Sequence, residues 1–245
     1  MKARISLLIE LVKRDYAVQY AGAGIGIFWA FFQSVITFII FLSVWKQTKL
    51  EQSGASFSYT ISGLYFWIPI QDLIQRSVGI LSENRNIIKR SGISMEMFMF
   101  VPIIQMLIQI LILAPIFIYA MNWFDLNAIF ILGILVQLGT VLLIYPILRY
   151  LAMINLFLKD ISQVIRLFLQ VSFWSLPILY LPNIKILNYI EYNPIYYFLE
   201  MYRYLILKDY HFPILSASLI LWFAVSYLIW FLVESKLKVR VLDHL

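Results

Sequence analysis

The sequence predicts an all-α membrane protein: six transmembrane helices preceded by an N-terminal helix lying at the membrane surface. Three observations predict it. Hydrophobic residues make up 62% of the 245-residue chain and charged residues only 13%, about half the charged share of a soluble domain, roughly 25%. A single soluble core of this length cannot hide so much apolar surface. The apolar residues are also gathered into runs; Ile25–Trp45 is 21 residues without a charge, and at about 1.5 Å per residue such a helix matches a hydrocarbon core of about 30 Å. Finally, the runs lack the period-two alternation of a membrane barrel, so helices, which pair their own backbone groups, are the spanning form left in lipid.

Residues 2–20 come first. Ile5, Leu8, Ile9, Val12 and Tyr16 recur at helical spacing, and Lys2, Arg4, Glu10, Lys13 and Arg14 mark the polar side. This is the pattern of an interfacial amphipathic helix, or of a helix packed on a partner protein. Gly22, Gly24 and Gly26 then allow a turn; no lysine follows as a phosphate-binding loop requires. The spans are expected at about 25–45, 57–80, 98–120, 127–148, 164–181 and 213–233. The first is too long for a signal-peptide core and reads as a retained span. Residues 182–212 form an extracytoplasmic re-entrant or interfacial segment, rich in tyrosine and broken at Asn193-Pro194.

Charge orients the spans. Of the 19 Lys and Arg residues, 14 fall on the side that carries both termini and the 82–97 loop. Positive charge stays inside, so both termini are expected in the cytoplasm. The net charge of +6 then reads as a basic rim facing anionic lipid rather than as a nucleic-acid surface.

Catalytic signals are sparse. The chain has no cysteine and two distant histidines, His211 and His244, which leaves no thiolate chemistry and no evident metal cluster. No triad or Walker motif is present, so ATP-driven work requires another chain. Asp72 and Arg76 are spaced i, i+4 in span 2 and share a helix face; they read either as a cavity-lining or gating pair, or as Asp72 offsetting Arg76. The loop carrying Glu83, Arg85, Asn86, Lys89, Arg90 and Glu96 reads as a solvated, topology-setting loop or as a docking surface. Phe28, Trp29 and Phe32 in span 1, and Phe168, Phe173, Trp174 and Tyr180 in span 5, suit lipid contact and packing or a smooth aromatic path for a glycan.

The ordered set Lys13-Arg14-Asp15, Tyr20, Gly26, Trp29, Gly63, Trp67, Glu83-Asn84, Lys89-Arg90, Tyr192-Asn193-Pro194 and Tyr202-Arg203 resembles the permease subunits of ABC-2 type exporters. Its nearest likeness is the branch that exports O-antigen, capsule or teichoic-acid polymers. Gln19, Ser34 and Gly92-Ile93-Ser94 depart from the usual pattern of that branch. The resemblance implies a multi-pass permease of the bacterial inner membrane. It implies a homodimer with two cytoplasmic ABC ATPase subunits, which would bind ATP and Mg, this chain holding no cofactor and being no enzyme itself. The implied substrate is a polysaccharide on a polyprenyl-pyrophosphate carrier, moved along a pore lined by spans 1 and 5. The 82–97 loop would couple to the ATPases. Tyr192, Asn193, Pro194, Tyr202 and Arg203 would belong to an outer gate. Apart from the resemblance, Arg4, Lys13 and Arg14, at the interface with Tyr20, suit the carrier's anionic headgroup by simple charge attraction. The alternatives are an ABC-2 exporter of a drug or small lipid, a membrane enzyme of lipid-linked sugar metabolism, and a structural anchor.

Overall fold

A computed structural model describes residues 2–48, 57–91, 93–121, 128–182, 189–190, 192–207 and 217–244. All the regular structure among them is helical. Helix α1 (Lys2–Gln19) leads through a turn, with Gly22 and Gly26 at positive φ, to a single 3-10 turn (Gly26–Phe28) and then α2 (Trp29–Thr48). There follow α3 (Phe57–Glu83), α4 (Arg85–Ser91), α5 (Met95–Ala120), α6 (Ala128–Asn155), α7 (Ile161–Ser175), α8 (Pro194–Ile206) and α9 (Ala217–His244).

Three helical stretches, 26–44, 95–120 and 130–155, are long and apolar enough to cross a membrane. They overlap the first, third and fourth expected spans. Helix α3 is equally long but more polar, and its position explains why. It is the hub of the bundle, packed on α2, α5, α6, α7 and α8, and its Thr60, Ser62 and Ser77 are buried there. Tyr65, Phe66 and Trp67 are buried on it. The Tyr65 ring stacks on Phe117 of α5 with centroids 4.3 Å apart, and its hydroxyl donates to the Ile110 carbonyl at 2.8 Å.

The fifth expected span, 164–181, is not one continuous helix. Helix α7 has 15 residues, about 22 Å of rise, and stops two residues before Pro177. The residue preceding a proline is pushed out of the α region, and Leu176 is extended at φ −77°, ψ 143°. The break at Asn193-Pro194 starts a helix: the Asn193 side chain accepts from the Ile195 N–H at 3.0 Å and Pro194 occupies the first helical position, a strong N-terminal signature.

Helix α1 divides its apolar side. Leu11, Val12 and Tyr16 are buried where it packs on α5, whereas Ile5, Leu7 and Ile9 are exposed. Helix α2 keeps Ser34 and Phe38 inside and exposes Trp29, Phe32, Ile36, Ile39 and Ile40.

Candidate functional site: a polar cavity and its charge clamp

Asp72, Arg76, Gly79 and Glu83 fall at i, i+4, i+7 and i+11 on α3 and form one stripe along the helix. The stripe is solved differently from the pairing that its spacing suggests. Arg76 turns from Asp72 to Asp15 of α1, donating through Nε at 3.0 Å and again through Nη2, and through Nη1 to Glu83 at 2.6 Å. The Glu83 carboxylate folds back over Gly79, where a Cβ would stand 2.8 Å from Glu83 Oε1. Gln105 of α5 donates to Asp15 at 2.8 Å, so one nearly buried carboxylate joins α1, α3 and α5. One residue earlier, Arg14 donates to Asn84 at the junction of α3 and α4, and Asn84 is itself buried and tied back to the Ile80 carbonyl at 2.8 Å.

Asp72 is left to neutral donors. Gln109 of α5 approaches its Oδ2 at 2.5 Å and Ser34 of α2 at 3.3 Å, while Gln109 also donates to Ser34 at 2.6 Å. Two adjoining cavities meet here. The smaller, about 150 Å³, lies between the end of α1, α2, α3 and α5, with Tyr16, Tyr20 and Gln105 in its wall. The larger, about 400 Å³, lies between α2, α3 and α7, with Thr37, Phe41, Gln71, Arg166, Gln170 and Phe173 in its wall. Gln33, Ser34, Asp72 and Gln75 border both. Burial pushes the Tyr16 phenol up, with Tyr20 and the carboxylates of Asp15 and Asp72 adding to it, and burial raises Tyr20 as well. Both phenols are therefore neutral hydroxyl donors at physiological pH.

The two cavity walls offer amides, hydroxyls, one carboxylate, the guanidiniums of Arg76 and Arg166, and aromatic rings. Among the described residues no group of three or more His, Asp or Glu could hold a metal ion.

The residues expected from sequence disperse. Phe28, Trp29, Phe32, Phe168 and Trp174 are exposed on the outside of α2 and α7 and the turn before α2. Phe173 is in the wall of the larger cavity, its ring 5.9 Å from that of Phe41. Tyr180 donates to the Ser175 carbonyl at 2.9 Å and closes the end of α7. Arg85, Asn86, Lys89 and Arg90 point outward from α4 while Ile88 is buried; Glu83 joins Arg76, and Glu96 pairs with Arg149 at 3.0 Å. Arg4 is exposed, Lys13 pairs with Glu10 at 3.0 Å, and Arg14 and Tyr20 belong to the clamp and the smaller cavity. Tyr192 is exposed, its carbonyl accepting from Trp222 of α9 at 2.8 Å. Asn193 and Pro194 cap α8, while Tyr202 and Arg203 are buried in the core.

The site residues that sequence reasoning did not single out are the amides Gln33, Gln105, Gln109 and Gln170. The available signal was Gln105 and Gln109 at i, i+4 on an otherwise apolar helix. No family model matches the chain, and no curated protein matches it.

Proposed function

We propose that this chain is the permease subunit of an ATP-driven exporter of the ABC-2 type, moving a lipid-linked polysaccharide across the bacterial inner membrane. The observation that carries the reading is α4. This short surface helix lies between two long helices, presents Arg85, Asn86, Lys89 and Arg90 outward, and is tied inward through Asn84 to α1. A cationic surface helix of this kind suits docking of a separate cytoplasmic ATPase. Its attachments run through Glu83, Arg76 and Asp15 toward the Asp72 cavity, so a push on α4 reaches a polar site among the long helices. Three stretches long and apolar enough to cross a membrane support the setting. The exposed aromatic faces of α2 and α7 suit contact with a second copy of the chain around a shared path.

The reading is tested by uptake of lipid-linked polymer into inverted vesicles, with the purified chain reconstituted with and without its ATPase. ATP-dependent uptake only in the presence of both subunits is expected. Uptake by the permease alone, or none with both, contradicts the reading. One observation favours a smaller cargo: the larger cavity, about 400 Å³, is within the size range of small-molecule sites. An exporter of a drug or small lipid would protect cells from a toxic compound and transport no polymer in the vesicle assay.

A further inference from the structure

We propose that the larger cavity beside Asp72 is a binding subsite for one neutral, hydroxyl-rich ring, a sugar unit. Its role in transport rests on the permease reading; its binding chemistry follows from the wall.

That wall has two characters. Phe41 and Phe173 form an apolar edge with ring centroids 5.9 Å apart. The same wall holds Asp72, Gln33, Gln75 and Gln170. Asp72 Oδ2 is occupied by Ser34 and Gln109, whereas Oδ1 accepts no hydrogen bond among the described residues. The side-chain amides of Gln33, Gln75 and Gln170 make no hydrogen bond among those residues either, and all three are exposed in the cavity wall. Gln71 is held by the Trp67 indole, which donates to its Oε1 at 2.6 Å and leaves the amide N–H groups of Gln71 available.

A sugar matches both characters of this wall. Each hydroxyl donates and accepts at once. It can give its proton to Asp72 Oδ1 and take one from a glutamine amide, which presents donor and acceptor side by side. The C–H face of the ring is apolar and fits against Phe41 and Phe173, whose rings offer rigid apolar surface. An anion meets the free oxygen of Asp72, which repels it. A cation meets Arg166, which has no ion-pair partner among the described residues and stands in the same wall. A neutral ligand that donates and accepts satisfies both charges.

The chain has no cysteine, so a single introduced thiol reports on the site. Gln170→Cys is made in the full chain in lipid nanodiscs, without the ATPase, and its alkylation rate by a maleimide is measured. The probes are methyl glycosides of glucose, galactose, mannose, rhamnose and N-acetylglucosamine, each at about 50 mM, because one ring with few contacts binds in the millimolar range. At least one glycoside is expected to slow labelling about threefold or more, and to lose that protection when Asp72→Asn is added. Lys159→Cys, outside the cavity, is the control for general effects. Protection by none of the glycosides, or equal protection with Asp72→Asn, overturns the subsite. Protection by methyl phosphate alone overturns it too, assigning the cavity to an anion through Arg166. Protection without vesicle transport by the wild-type pair leaves the subsite standing and removes the permease reading; transport without protection does the reverse.

Discussion

The guanidinium carbon of Arg203 lies 3.4 Å from the centroid of the Tyr59 ring. Arg203 on α8 is fully buried, pairs with Glu200 at 2.8 Å, and donates to the carbonyls of Pro177 at 2.8 Å and of Tyr59 and Ile178 at 3.3 Å each. One side chain thus fastens α8 to the start of α3 and to the segment that follows α7. The carbonyls freed where α7 breaks at Pro177 have found their donor.

Replacing this arginine is predicted to be severe even when the charge is kept. Arg203→Lys loses the planar fork and the stacked cation. Each of the carbonyls of Pro177, Tyr59 and Ile178 that loses its donor costs about 1–3 kcal/mol. The readout is a large fall in the melting temperature of the detergent-solubilised chain. Gly63→Ala probes the same place, since a Cβ there would sit 2.7 Å from Arg203 Nη2 and 3.1 Å from the Ile178 carbonyl oxygen. Overpacking of this kind costs about 1–3 kcal/mol. Because Lys removes the clashing nitrogen, the two changes together should destabilise by less than their sum; strict additivity would show that the contact is not what confines Gly63.

The Asp15–Arg76–Glu83 clamp makes an ordered prediction. Asp15→Asn leaves Arg76 with Glu83. Arg76→Gln leaves Asp15, whose side chain is 4% exposed, with Gln105 as its remaining donor. Removing one partner of a buried pair costs about 3–5 kcal/mol, and Arg76 keeps a second carboxylate where Asp15 keeps only an amide, so Arg76→Gln should lower the melting temperature more than Asp15→Asn. The double variant should recover part of the loss. Equal effects of the two single variants would mean that the clamp carries little of the packing of α1.

How far the sequence reaches is clear from these same residues. The continuous apolar runs at 26–44, 95–120 and 130–155 were legible because lipid-length hydropathy is a property of the chain alone. The partner of Arg76 was not. Helical spacing proposed Asp72, four residues away, but the bundle brings up Asp15 across 61 residues, and only packing decides between them. The end of α7 was half legible: Pro177 was visible, yet apolarity continues past it, and the expected span ran on. Burial of Arg203 had no local signal, because its acceptors are carbonyls released by a break elsewhere. The cavity amides were hidden for a similar reason: single glutamines on separate helices look incidental until α2, α3, α5 and α7 converge.

On α4 the prediction is of function without loss of structure. Lys89 and Arg90 are exposed, so the charge reversals Lys89→Glu and Arg90→Glu together should leave the melting curve of the chain unchanged. Rim charges act on association through complementary fields, and binding of the proposed ATPase partner should weaken about tenfold or more, measured by co-purification at low salt. The remaining binding should show less salt dependence than that of the wild type. Undiminished ATPase binding by the reversed variant would remove α4 from the docking surface and take with it the observation on which the exporter proposal leans most.

Orientation gives the last test, and its positions come from the structure. By the cationic excess α4 is expected on the cytoplasmic side, and α8 is expected on the opposite side in the six-span topology. In a chain without native cysteine, Lys89→Cys and Tyr192→Cys report on the two faces. Both sites are exposed, Tyr192 at 70%, whereas Ile88 next to Lys89 is buried and would report poorly. A membrane-impermeant maleimide added to intact cells should label Tyr192→Cys and spare Lys89→Cys until the membrane is permeabilised. The reverse pattern would invert the topology and put the basic helix where no ATP-hydrolysing partner can reach it. Equal labelling of both in intact cells would place the two sites on one side of the membrane, and the six-span arrangement would have to be abandoned.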